Sequence, residues 1–261
     1  MPELPEVEAV VRKINQAEPW QPVLSCGQFR PTTAQGLERA VGQSLAAASR
    51  RGKNIILTLT SGDFLRVHLK MTGNLLVIPD VRLRPATVRA WLGLKDGRGV
   101  VLNDPRALGR ISYHAAGEDL FHDLGPEPFD PLFTPAYFTA RAKATVKPIK
   151  LLLMEQTAVV GLGNIYAAEA LFQAGIHPAK PARKLTTARL HQLHAAIVEV
   201  LTVAINSAIR AYEEPGRFSE GENYPVAVYG REGEPCFRCQ AAIKRIPQGG
   251  RSTYYCPRCQ K

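Results

Sequence analysis

Four of the chain's five cysteines lie in its last 26 residues, as Cys236-x2-Cys239 and Cys256-x2-Cys259 with 16 residues between the pairs. Each pair offers two thiolates from one tight turn, and a hairpin between the pairs brings all four around a tetrahedral ion. The spacing predicts a zinc ribbon at the C-terminus. Four thiolates fill every position on the metal, so one zinc ion is expected, in a structural role. Two disulfides are the alternative, but they need an oxidising compartment, and the N-terminus has neither the charged start nor the apolar stretch of a secretory signal. Cys26 stands apart and is read as a small buried hydrophobe without a role.

A ribbon of this size leaves more than 200 residues for other domains, and 45% apolar content is enough for a real core. The formal net charge of +10 and pI near 9.6 point to a polyanionic partner, most often nucleic acid. No run of about 18 consecutive apolar residues stands out, so no membrane span is expected and the chain is placed in the cytoplasm.

The pattern changes twice along the chain. Residues 5–15 read as an amphipathic helix, with Val7, Val10, Val11 and Ile14 on one face. From about 44 to 115, short β-forming runs alternate with turns: 54–60, 64–69, 74–78, 88–94 and 100–103, the last two flanking an Asp96-Gly97 hairpin signal. This predicts a β-sandwich or barrel with the first helix packed on it. Gly125, Pro126, Pro128 and Pro131 mark a linker. Helical patterns then cover 135–144, 149–159, 165–174 and 187–212, and a polar loop follows at 213–225.

The first six residues, Met-Pro-Glu-Leu-Pro-Glu, carry the most chemistry. Loss of Met1 would leave Pro2 as a terminal secondary amine, with an α-amino pKa near ~8 and hence a nucleophilic fraction at neutral pH. Attack of such an amine on an electrophilic sugar carbon gives an iminium. Glu3 and Glu6 would share a helix face beside it as acid/base groups. Taken alone, the hexapeptide reads first as a solvated helix start, with acids favoured by the dipole. Elsewhere, Gly161-Leu-Gly-Asn164 joins two helical segments by a turn suited to an anion, with Lys143, Lys147 and Lys150 before it. Lys53 opens a strand, and Lys244, Arg245 and Arg251 lie between the cysteine pairs, where a hairpin could bring them to phosphates. His68-Leu-Lys-Met71-Thr-Gly73 and Asp104-Pro-Arg106-Ala-Leu108-Gly109 each end a strand in a turn.

In this order, the hexapeptide, Arg-Arg-Gly-Lys53, His68-Leu-x-Met71-x-Gly, Asp104-Pro-Arg106, Leu124-Gly-Pro-Glu-Pro128, Gly161-x-Gly-Asn164-Ile-Tyr, Val228-Tyr-Gly-Arg231-x-Gly-Glu-Pro-Cys236 and the terminal ribbon resemble the formamidopyrimidine-DNA glycosylase and endonuclease VIII family. The resemblance covers essentially the whole chain, and Leu4 resembles the formamidopyrimidine branch. It implies an α+β multidomain fold: an N-terminal β-sandwich with flanking helices over 1–124, a linker at 125–134, a helix–two-turn–helix domain over 135–225 and a zinc finger over 226–261. It implies a monomer acting on damaged double-stranded DNA at the nucleoid as a bifunctional DNA glycosylase and abasic-site lyase for oxidised purines.

By the same resemblance, Pro2 attacks C1′ of the damaged nucleotide, Glu3 assists sugar-ring opening and Glu6 supports them. Lys53 serves phosphate contact and elimination, and Arg251 grips phosphates flanking the lesion. His68, Lys150 and Asn164 belong to the DNA-binding set. Met71, Arg106 and Leu108 fill the space of the everted base, a step that costs a few kcal/mol. The chain departs from the family pattern in four places: Leu108 replaces Phe, Ala107 replaces a frequent arginine, Arg84-Pro-Ala-Thr87 lacks the usual histidines, and 205–225 lacks the usual stretch before the lesion-covering loop. Two rivals stay open: an endonuclease VIII-like enzyme for oxidised pyrimidines, and a non-catalytic DNA-binding protein.

Overall fold

In a computed structural model of the protein, residues 1–213 and 224–261 are described. The segment 214–223, which holds much of the non-standard 205–225 stretch, lies outside the described residues. The chain divides into two compact units: Met1–His122 together with the end of the last helix from Ile209, and Asp123–Ala208 together with the C-terminal module.

The first unit opens with α1 (Leu4–Asn15), whose buried face carries Val7, Val10, Val11 and Ile14 at the 3.6-residue period. Nine strands follow: β1 (Val23–Gln28), β2 (Ala34–Gln35), β3 (Leu45–Arg51), β4 (Asn54–Leu59), β5 (Phe64–His68), β6 (Asn74–Ile78), β7 (Val88–Leu94), β8 (Gly99–Asn103) and β9 (Arg110–His114). They form a four-stranded sheet in the order β1-β7-β8-β6 and a five-stranded sheet in the order β2-β9-β5-β4-β3. Leu75, Leu92, Leu94, Val100 and Leu102 of one sheet share a single apolar core with Ile55, Leu57, Leu65, Val67 and Ile111 of the other and with α1. This is the expected β-sandwich with a flanking helix. The Asp96-Gly97 hairpin pairs Gly93 with Gly99.

Four strands, β1, β2, β3 and β9, lie outside the β-forming runs named from the sequence. β1 contains Ser25, Cys26 and Gly27 and exposes Leu24, yet it pairs with β7 from Val23 through Gln28. Gly27 is needed there because any Cβ would fall 2.0 Å from the Trp91 ring. Cys26 packs partly buried against the core, and burial pushes its thiol pKa up, as suits an inert residue. β9 follows directly from a turn and is held by pairing to β5, with Val67 opposite Ile111.

The second unit contains α2 (Pro135–Lys143), α3 (Ile149–Met154), α4 (Asn164–Gln173) and most of α5 (Thr187–Glu213), then the hairpin β10 (Lys244–Gln248) and β11 (Arg251–Tyr255). α3 stops at Met154, five residues before the expected end. Gln156 turns left-handed at φ 63° there, and its side chain donates to the Met154 and Leu162 carbonyls while accepting from Gly161 N–H. Among the described residues one helix has the length and mean hydropathy of a membrane span, although it holds no unbroken run of 18 apolar residues. Thr187–Tyr212 reaches a mean hydropathy of 1.4 over 18 residues. Its apolar side chains recur as Leu190, Leu193, Ile197, Leu201 and Ala204, all buried within the protein, which makes α5 the apolar face of a core helix.

Candidate active site and nucleic-acid interface

Pro2 is buried at the head of α1, directly before the helix cap. Glu3 is the N-cap, and its N–H donates to Glu6 Oε2 at 2.8 Å, while the Glu3 carboxylate accepts from Glu6 N–H, a closed capping box. Both carboxylates are buried, at 2% and 3% exposure, so the box fixes two acids within four residues of Pro2. Pro5 occupies the second helical position, where its missing N–H costs nothing.

Lys53 lies half-buried in the β3–β4 turn, next to Gly52 at φ 58°. Asn54, its neighbour, pairs with His68 across β4 and β5. Burial, and then the cations Lys70, Arg66 and Lys53, depress the His68 imidazole to about 4. His68 is therefore neutral at physiological pH. Its Nδ1 accepts the Lys70 N–H at 3.0 Å, which leaves Nε2 carrying the proton as a donor.

Two loops extend from these strands. One carries Met71, 39% exposed, after Lys70 at φ 57°. The other carries exposed Arg106 and half-buried Leu108 on either side of Ala107 at φ 54°. Asp104, fully buried, organises the second loop: Oδ2 accepts the N–H groups of Leu108 at 2.7 Å and Gly109 at 2.6 Å, and Oδ1 accepts that of Arg106 at 3.2 Å. Burial alone would raise this carboxyl, but the donors, Thr72 Oγ first, outweigh it and hold the pKa below the usual range. Two arginines bind the loop carbonyls. Arg89 donates to Asp104 O at 2.7 Å and Pro105 O at 3.0 Å, and Arg110 donates to Leu108 O and Gly109 O, each at 2.9 Å.

In the second unit, Asn164 opens α4 after Gly163, as the glycine turn predicts. Its Nδ2 donates to Ser252 O at 3.0 Å, and its Oδ1 accepts from Lys150 Nζ at 2.5 Å. Lys150 is not a surface cation. It is 0% exposed, and its Nζ also donates to Thr253 Oγ1 at 2.6 Å. Arg251 is exposed where β11 begins, after the Gly249-Gly250 turn with both φ values positive. Glu169, buried on α4, accepts the N–H groups of Ala227, Val228 and Tyr229 at 2.7–3.0 Å. Burial raises its carboxyl pKa against the pull of those three donors.

The four sulfurs of Cys236, Cys239, Cys256 and Cys259 lie within 4.8 Å of one another. A tetrahedral zinc with bonds of about 2.3 Å spaces its sulfurs about 3.8 Å apart, so the donor set and its geometry fit the metal. The Cys239–Cys256 separation of 3.4 Å is far too long for a disulfide.

Three family models match the chain: "Formamidopyrimidine-DNA glycosylase N-terminal domain" over residues 1–111, "Formamidopyrimidine-DNA glycosylase H2TH domain" over 124–213, and "Zinc finger found in FPG and IleRS" over 233–261. The chain belongs to the formamidopyrimidine-DNA glycosylase family. It is 39% identical to the formamidopyrimidine-DNA glycosylase of Chloroflexus aggregans, with 100% of this chain and 98% of that protein aligned. A Lactococcus lactis formamidopyrimidine-DNA glycosylase, solved with DNA containing a formamidopyrimidine lesion, superposes with a TM-score of 0.90 at 33% identity over 99% of this chain and 100% of that one. The Thermus thermophilus enzyme superposes at 0.87 with 35% identity, covering 99% and 98%. With the zinc-finger match, the four-cysteine cluster is a structural zinc site of this glycosylase-family chain.

Sequence reasoning missed the residues that hold this site in shape. The motif around Asp104 does not by itself assign that residue a role, and Arg89, Arg110 and Glu169 carry no local sequence signal. The available signal was Asp104-Pro followed by Gly109, since Asp commonly satisfies backbone N–H groups in turns.

Proposed function

We propose that this protein is a DNA glycosylase and abasic-site lyase that excises oxidised purines from duplex DNA, acting at the nucleoid. The N-terminus carries the proposal: a buried Pro2 immediately before a helix start whose capping box fixes Glu3 and Glu6. Once Met1 is removed, the Pro2 nitrogen attacks C1′ as the bond from C1′ to the base breaks, the amine proton passing to the departing base, and cleavage of the bond from C1′ to the ring oxygen then gives the iminium. Glu3 supplies the proton to the sugar ring oxygen as the ring opens. Glu6 acts through the capping box by holding Glu3 and the helix start in place. The iminium acidifies the C2′ proton. Its loss expels the 3′ phosphate, and a second elimination expels the 5′ phosphate, with Lys53 beside the phosphates in these steps.

His68, through Nε2–H, Asn164 and Arg251 are the phosphate contacts in this proposal, and Met71, Arg106 and Leu108 fill the vacated stack. Lys150, being buried, acts through Asn164 and β11. Zinc supplies no chemistry; its four thiolates hold the base of the hairpin that presents Arg251. Leu108 keeps the wedge apolar but removes the ring that could stack on a base.

Strand cleavage assays on duplexes carrying 8-oxoguanine, a formamidopyrimidine or thymine glycol test the substrate class. Faster release of the two purine lesions is expected. Much faster release of thymine glycol would replace this assignment with the oxidised-pyrimidine one.

A further inference from the structure

We infer that the Met71 loop and the Arg106–Leu108 loop enter DNA as one unit, coupled through the hydrogen bond from Thr72 to Asp104. The inference rests on the DNA-processing function proposed above. Each loop tip includes a non-glycine residue in the left-handed region, Lys70 at φ 57° and Ala107 at φ 54°. Such a backbone persists only where surrounding bonds fix it.

The second loop is fixed throughout. Asp104 gathers the N–H groups of Arg106, Leu108 and Gly109, Arg89 binds the Asp104 and Pro105 carbonyls, and Arg110 binds those of Leu108 and Gly109. Arg89 is itself held against the Phe29 ring, 4.9 Å from its centroid, while Phe29 N–H donates to Arg89 O at 2.7 Å. The Met71 loop closes on itself through Gly73 N–H to Leu69 O at 3.0 Å. Its side-chain tie to the braced loop is Thr72 Oγ1, which donates to Asp104 Oδ1 at 2.5 Å. Asp104 thus serves as a positioning residue for both wedges. A carboxylate that accepts from both loops transmits a displacement of one to the other, because moving either loop strands a buried charge.

The test uses the full zinc-loaded protein and a duplex with a tetrahydrofuran abasic analogue opposite 2-aminopurine, whose fluorescence reports unstacking by the wedge. Thr72→Val removes the hydroxyl at nearly constant volume, and Thr72→Ser keeps it. With the loops coupled, Met71→Ala and Leu108→Ala are non-additive in the parent protein, each alone removing nearly as much signal as both. In the Thr72→Val background the two become additive. The ratio of base excision to cleavage at a pre-formed abasic site falls about tenfold, the scale of one hydrogen bond to a charged group. Thr72→Ser restores both behaviours. Additive effects in the parent protein, or an unchanged ratio in Thr72→Val, overturn the coupling. A parent protein that binds this duplex with no fluorescence change overturns the DNA-wedge reading itself.

Discussion

At the scale of single residues, the site is built from groups whose protonation is decided by their surroundings. His68 is the clearest case. Its pKa near 4 in the folded chain lies below the value of about 6.5 for an unfolded imidazole. The unfolded state therefore binds a proton first as pH falls. His68 contributes stability that is fully present above about pH 6.5 and is lost as pH falls through the folded pKa near 4. Urea unfolding at pH 7 and pH 4.5 should show a larger loss for the wild type than for His68→Gln, and equal losses would contradict this account. The residue types were legible in the sequence: proline and two carboxylates at the start, a histidine at a strand end, and cysteines at metal spacing. Their environments were not. Lys150 looked like one of three surface lysines, and only folding shows it fully buried on Asn164 and Thr253.

At the scale of elements, α3, α4 and β11 meet at that lysine. α3 supplies Lys150, α4 supplies Asn164, and β11 supplies Thr253 and the Ser252 carbonyl. Burying an ammonium is costly, so replacing it with an apolar chain of similar volume relieves desolvation while it takes a donor from the oxygens of Asn164, Thr253 and Ser252. Lys150→Met should therefore change unfolding free energy by no more than about 1 kcal/mol, yet weaken binding to abasic-site duplex about tenfold as Asn164 and β11 lose their common anchor. Unchanged affinity, measured by fluorescence anisotropy, would remove Lys150 from the interface account. Elements with strong local signals were readable from sequence. α1 carries a clean helical stripe, and the β7–β8 hairpin has its Asp-Gly turn. β1 was not readable, because Ser25, Cys26 and Gly27 are poor strand formers and its structure comes from pairing with β7 and from the space Trp91 needs. The early end of α3 was hidden for a similar reason, since it depends on where the Gln156 side chain finds its partners.

At the scale of the whole molecule, the chain is two compact units with different sources of stability. The first rests on a β-sandwich core, whereas the second includes a cysteine module tied to the helices by Gln260 to Ile176 and by Glu169 to 227–229. A chelator should therefore abolish DNA binding while the β-sandwich unit still unfolds cooperatively, because ribbon stability comes largely from the metal. Simultaneous loss of both in a thermal scan would contradict that separation. The order of motifs along the sequence indicated this assembly more surely than any one of them, because each alone has an ordinary structural explanation. The central claim is that Pro2 is the nucleophile, and borohydride trapping on abasic-site duplex tests it most directly. Protein beginning at Pro2 should give a covalent adduct whose mass maps to the N-terminal peptide, and the same chain retaining Met1 should give none. An adduct that maps to Lys53, or no adduct from Pro2-terminal protein under conditions that trap a relative, would contradict the account.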